Sequence, residues 1–495
     1  MNILLVNPEV PDTFWSFRHA LKFISLKSPF PPLGLLTVAA LLPKEWSKRL
    51  VDLNIERLHD RDIQWADYVF LGGMSVQERS ARDIIASCKH LSRPIVAGGP
   101  LFTARPDEFA DVDHLVLNEA ECTLPAFLAV LRRGAADHRY SSSEWADITR
   151  TPVPAWELAK MRKYSSMNVQ YSRGCPYDCE FCDITVLNGR IPRTKTANQL
   201  LNEFDSLAAQ GWTGDLFLVD DNFIGNKALL KREVLPALIR WRNGRKHPFT
   251  LNTEATLNLA DDEELMDQMV QAGFTHVFVG IESPNEESLH ECRKVPNFRR
   301  DLLGSVRRLQ SKGLQVQGGF ILGFDNDPES IFERMIAFIQ ESGIVTAMVG
   351  LLNAPVGSRL FKRMQEEGRL LKTMSGDNTD FSMNFIPKMD FTALQNGYRT
   401  VLETIYAPKH YYARVRTLLR NYRHRKDVPS GIRLIHLQAL AKSAILLGVI
   451  GKERFQYWKL MFWSVFTRPR SFPLAVTLAI YGYHFRKIVE RYASS

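Results

Sequence analysis

Cysteine is scarce in this chain, with six in 495 residues. That excludes a disulfide scaffold and points to a reducing compartment. Long apolar runs are missing as well. No uninterrupted stretch reaches the ~18 residues that a membrane-spanning helix needs. The start, MNILLVNPEV, has no basic leader region, so no secretory signal is expected. Histidine is absent between His138 and His247. No RNA-binding module is present, and no nucleic-acid partner is expected. What remains is a globular composition, 45% hydrophobic and 24% charged. At roughly 150 residues per domain, the length suggests two to four domains. The net charge of +9 is unevenly placed: Ala407 to Ser495 sums to +14 and the rest to −5. The expected location is the cytoplasm, with peripheral contact on the inner membrane face through the basic end.

The pattern divides the chain into an α/β fold with a helical end. Residues 1–140 alternate short apolar runs with helical stretches. Ile3–Pro8, Arg49–Ile55, Asp67–Gly73, Pro94–Pro100 and Asp113–Glu119 read as buried strands, and Leu33–Pro43 as a helix. This rhythm predicts a Rossmann-like, doubly wound parallel sheet. Residues 141–165, with Pro152 and Pro154, read as a linker. Residues 166–380 repeat the βα rhythm, with strands at Asp215–Asp221, Phe249–Ala255, His276–Ser283, Gln315–Phe324 and Ala347–Asn353. That predicts a partial barrel whose site lies at the strand carboxyl ends. Residues 381–495 become helical, aromatic and basic.

Three of the six cysteines crowd into YSRGCPYDCEFCDIT, Tyr171 to Thr185. Cys175, Cys179 and Cys182 are spaced to converge on one centre. Structural zinc takes four protein ligands, which here requires a distant Cys88, Cys122, Cys292 or histidine. A four-iron cluster held by three thiolates instead leaves one iron open to an exogenous ligand. Cys292, in HECRKVPN, follows a helix after GIES and has two readings, a thiol near the barrel mouth or a plain buried or surface thiol.

Cys175-x3-Cys179-x-Phe181-Cys182 resembles the radical S-adenosylmethionine (SAM) signature. PPLGLLTVAALL, GGPLFT, LVDDNFIGNK, GIES and GGFILGFDND resemble the cobalamin-binding subgroup of that family, in the branch containing the hopanoid C-2 methylase. The resemblance implies a 4Fe-4S cluster on Cys175, Cys179 and Cys182, with SAM on the open iron. Reductive cleavage of SAM then yields a 5′-deoxyadenosyl radical. It also implies SAM contacts from Phe181, Asp220, Asp221, Asn222, Glu254, Glu282, Gly319 and Gly323. Helix capping and buried salt bridges are the plain alternatives for the polar ones, and close packing for the glycines. Cobalamin is implied in the first domain, near Ser75, Gly98, Gly99 and Glu119. There the subgroup's usual Gly-Glu is Asn118-Glu119, and the histidine loop that reaches cobalt in other cobalamin proteins is absent.

Phe455, Trp458, Phe462, Trp463 and Phe466 mingle with Lys459, Arg468 and Arg470 near the end of the chain. Such segments suit a membrane interface, and they also suit a helical cap on the barrel. The expected activity is cobalamin-dependent radical SAM methylation of an unactivated carbon in a small hydrophobic, hopanoid- or isoprenoid-like substrate. A flavodoxin or ferredoxin is the expected reductant. The alternatives are a cobalamin-dependent radical cyclase or oxidase, and an RNA-modifying radical SAM enzyme.

Overall fold

The computed structural model describes all residues except 132–135, 247–248, 373, 378, 424–433 and 494–495. Two six-stranded parallel sheets organise it. The first contains β1 (Asn2–Asn7), β2 (Ser47–Asp52), β3 (Tyr68–Gly72), β4 (Ile95–Gly98), β5 (His114–Val116) and β6 (Arg139–Tyr140), in the order β2-β1-β3-β4-β5-β6. Ile3, Leu4, Leu5 and Val6 are all buried, as parallel strands covered on both faces require. Separate apolar clusters lie on the two faces, one around Leu4, Ile84 and Phe102 and one around Ile3, Leu35 and Phe127. The sheet is therefore doubly wound. The predicted helix runs Leu33–Leu41.

The second sheet follows chain order: β7 (Ser166–Val169), then after a small hairpin of β8 (Ser172–Arg173) and β9 (Arg193–Thr194), the strands β10 (Asp215–Leu218), β11 (Thr250–Glu254), β12 (Phe274–Glu282), β13 (Gln315–Leu322) and β14 (Ala347–Leu351). It is a partial barrel. β7 is not apparent in the apolar pattern, because its run SMNV carries Ser166 and Asn168; tertiary contacts bury both.

The stretch expected as a linker is packed. Trp156 is fully buried, and the Ala155 N–H donates to the Leu36 carbonyl at 3.0 Å. Phe14 and Phe23, early in the chain, share one apolar core with the barrel and the carboxyl-terminal helices. Those helices are Phe391–Tyr406, Pro408–Asn421, Leu434–Ile445, Arg454–Thr467 and Phe472–Ala493. They cover the β14 edge: Tyr398 and Tyr406 hydroxyls donate to the Val349 and Ala347 carbonyls at 2.9 and 2.5 Å. Pairing an exposed edge this way removes a site for unwanted strand addition. Arg414, Tyr411 and Tyr412 are buried, so this basic stretch packs inward rather than facing solvent. Among the described residues no helix is long and apolar enough to cross a membrane.

Candidate functional site

The cysteine loop leaves β8 at the carboxyl end of the barrel and is held by the strand beside it. Asp220, just beyond β10, accepts from the Ser172 backbone N–H and, at 2.6 Å, from its hydroxyl. Asp221 accepts from the Gly174 N–H at 2.8 Å and from the Asn188 amide at 3.0 Å. The two carboxylates expected at SAM are thus engaged in fixing the loop, with burial pushing Asp220 up to about 7. Gly174 sits at φ 95°, and a Cβ there would lie 2.9 Å from the carbonyl oxygens of Asn188, Gly189 and Ile191. Only glycine suits so close a crossing at positive φ.

The three thiols face one neighbourhood. Cys179 lies within electrostatic reach of both Cys175 and Cys182. Burial pushes the Cys179 thiol up to about 11, opposed by the nearby Lys294 ammonium. Lys294 itself is buried and donates to Glu282 at 2.6 Å, and that ion pair holds its pKa above the usual lysine value against the pull of burial. Lys294 is a residue that reading the sequence missed: nothing in HECRKVPN marks it, because its partners come from other loops. Its ammonium lies 6.0 Å from the Phe181 ring centre, and Phe181 lies 6.3 Å from Phe324. Asn222 accepts from the Thr256 N–H at 3.2 Å, and its buried side-chain amide is directed at the Cys175 sulfur, which it helps to hold down against the upward push of burial. The carboxylate of Glu254, at the end of β11, makes no hydrogen bond among the described residues. Burial, then Asp221 and Asp220, push its carboxyl up to about 7. Cys292 is also brought close to Cys179, but its thiol points to the Leu289 carbonyl at 3.5 Å within its own helix turn. A Cβ on Gly319 would lie 3.1 Å from the Phe278 ring, and Gly323 sits at φ 100°, where a Cβ would lie 3.0 Å from Leu394.

The strand ends of the first sheet face this loop across a cavity of about 170 Å³ lined by Ser75, Thr103, Asn118, Asp183 and Pro355. Gly99 is at φ 94°, where a Cβ would meet the Gly73 carbonyl at 3.1 Å; a Cβ on Gly98 would clash with the Val116 carbonyl at 2.5 Å. Glu119 differs from expectation. Its carboxylate accepts from Arg173 at 2.9 Å, Arg193 at 2.8 Å and the Ala146 N–H at 2.7 Å, so it joins the two sheets, and Asn118 lines the cavity in its place.

A model described as the radical SAM superfamily matches residues 169–339, and a domain of unknown function, DUF4070, matches residues 358–495. An uncharacterized methyltransferase of Synechocystis is 40% identical over 99% of this chain and 93% of its own length. The hopanoid C-2 methylase of Rhodopseudomonas palustris is 38% identical over 78% of this chain and 73% of its own. The chain belongs to the radical SAM methyltransferases. Its fold resembles that of OxsB, a cobalamin-dependent S-adenosylmethionine radical enzyme, at TM-score 0.63 and 15% identity over 100% of this chain and 84% of that one. It also resembles the methyltransferase TsrM of Kitasatospora setae, at TM-score 0.61 and 17% identity over 76% and 79%.

A radical SAM methyltransferase works with a 4Fe-4S cluster and SAM, and the cysteines fit the cluster better than a single ion. Cys175, Cys179 and Cys182 do not form a group of three whose ligand atoms all close to within 4.8 Å, as Asp12, His19 and His484 do. A lone tetrahedral zinc with bonds near 2.3 Å would draw thiolates to about 3.8 Å. A cubane spreads its ligands wider, and the Asn222 amide directed at Cys175 is a donor that suits a sulfur-rich group.

Proposed function

We propose that this methyltransferase is cobalamin-dependent and methylates an unactivated carbon of a hydrophobic, hopanoid- or isoprenoid-like lipid. When bound, the cluster and SAM supply a hydrogen-abstracting radical, and cobalamin supplies the transferred methyl group. The chain's residues hold and orient these groups. Residues 1–140 carry cobalamin beside Ser75, Gly98 and Gly99; residues 141–165 connect; residues 166–380 carry the cluster on Cys175, Cys179 and Cys182; residues 381–495 form the basic helical unit. Glu254 accepts from the SAM ammonium. Asn222, Phe181, Gly319 and Gly323 surround SAM. Asp220 and Asp221 act by positioning the loop, and Glu282 by holding Lys294.

One observation carries the reading. The strand ends of the first sheet and the cysteine loop line a single cavity, and Glu119 ties them through Arg173 and Arg193. A methyl carrier on one wall and a radical source on the other then share one substrate. The hopanoid methylase relative supports the lipid class. Peripheral contact with the membrane face is supported by an outward stripe on Arg454–Thr467: Phe455, Trp458, Phe462 and Phe466 are exposed beside Lys459.

The test is incubation of reconstituted enzyme with methyl-labelled SAM, a flavodoxin or ferredoxin reductant and a hopanoid. Label in the lipid is expected. A modified lipid without label points instead to cyclisation or oxidation, and label in RNA rather than lipid defeats the substrate class.

A further inference from the structure

Three side chains from opposite ends of the chain meet at a place that the methyl-transfer reading leaves unused. Asp12 and His19 flank the bend that follows β1, and His484 lies on the last helix, Phe472–Ala493. One ligand atom from each falls within 4.8 Å of the others. His19 Nε2 is 2.7 Å from Asp12 Oδ2, while the other Asp12 oxygen accepts from the Ser16 hydroxyl at 3.1 Å. The His19 and His484 rings are 5.6 Å apart.

His484 makes this more than an ion pair with a neighbour. Its ring is 0% exposed. Nε2 lies 3.1 Å from the Phe14 carbonyl, which can only accept, so Nε2 carries the proton. Nδ1 then carries the lone pair, and it is buried with no hydrogen-bond partner. A buried polar atom left unpaired costs free energy and calls for an occupant. A ring whose far N–H is held by a backbone carbonyl is also the usual arrangement of a metal-bound histidine, because it fixes the tautomer and the ring plane.

We propose that Asp12, His19 and His484 bind a divalent first-row transition ion, with zinc the fitting probe. Two imidazoles and one carboxylate are borderline donors that suit zinc or iron(II) and not calcium or magnesium. Binding replaces the proton shared by Asp12 and His19 with the ion, and water completes the coordination. The ion would be structural. It would pin the bend at Asp12–His19 to the last helix, and the same bend places the Trp15 ring 5.0 Å from Phe278 of β12, inside the barrel.

The test uses anaerobically reconstituted holoenzyme, dialysed against zinc alone, with zinc counted separately from iron and cobalt. About one zinc per chain is expected in the native protein. Asp12→Asn and His19→Gln, both at partly exposed positions, should weaken zinc binding by at least roughly tenfold while iron content is kept. Zinc should raise the thermal midpoint of the native chain and not of the variants. A native protein that retains no zinc, or variants that bind it as tightly as the native chain, would overturn the proposal.

Discussion

At the scale of single residues, Cys292 and Glu254 separate proximity from role. Cys292 lies beside Cys179, yet its thiol points into its own turn and burial holds it well above the ordinary thiol range. Cys292→Ala should therefore retain about four irons per chain after reconstitution, whereas Cys179→Ala should lose most of them; iron and sulfide assays check both. Glu254 gives a pH signature. Its folded pKa is raised to about 7, so below that pH the folded chain holds a proton that the unfolded carboxyl has lost. The group's contribution to stability is full below its unfolded pKa and disappears as pH rises through about 7. His276 and His484, lowered to about 4 by burial, act in the opposite sense at acidic pH, so the native chain alone is not diagnostic. The difference between native and Glu254→Gln is diagnostic. In thermal melts of the cluster-free chain, the native protein should lose about 2 kcal/mol relative to the variant from pH 5.5 to 8.

At the scale of elements, the β8–β9 hairpin ties the first sheet to the barrel. Arg173 donates to Glu119 and Glu121, and Arg193 donates to Glu119, with every side chain of the group less than a fifth exposed. Breaking a buried pair leaves charge uncompensated, which costs about 3–5 kcal/mol. Arg173→Met should lower the thermal midpoint and loosen the loop that carries Cys175, read as faster loss of iron to a chelator. Most strands were legible from apolar runs, since parallel strands buried on both faces must be apolar along their length. β7 was not, because Ser166 and Asn168 owe their burial to elements distant in sequence, such as β10. The site was legible in part. Cysteine spacing is local, so Cys175, Cys179 and Cys182 could be read directly. Lys294 and the arginine partners of Glu119 could not, since an ion pair across 54 or 74 residues leaves no periodic mark.

At the scale of the whole molecule, the carboxyl-terminal helices serve two faces. Inward, Tyr457, Leu460, Met461 and Ser464 pack on the core; outward, Phe455 is 75%, Phe462 58% and Phe466 81% exposed, with basic residues around them. Replacing these three phenylalanines with serine should leave the melting temperature nearly unchanged, because they touch solvent. It should strongly reduce co-sedimentation with anionic vesicles, and the native chain should bind neutral vesicles less well. Equal vesicle binding by the two proteins would remove the membrane reading while leaving the chemistry of the cysteine loop untouched.

The amino-acid sequence by itself determined the βα rhythm, the three-thiol spacing and the charge asymmetry, because each depends on neighbours a few positions apart. Tertiary structure alone decided which carboxylates remain free. Asp220, Asp221 and Glu119 are tied to backbone or arginine, and Glu254 is left open. It alone also joined Asp12 and His19 to His484. The physical reason is the same in each case: a buried polar group takes its meaning from the partner that satisfies it, and folding can bring that partner from anywhere in the chain.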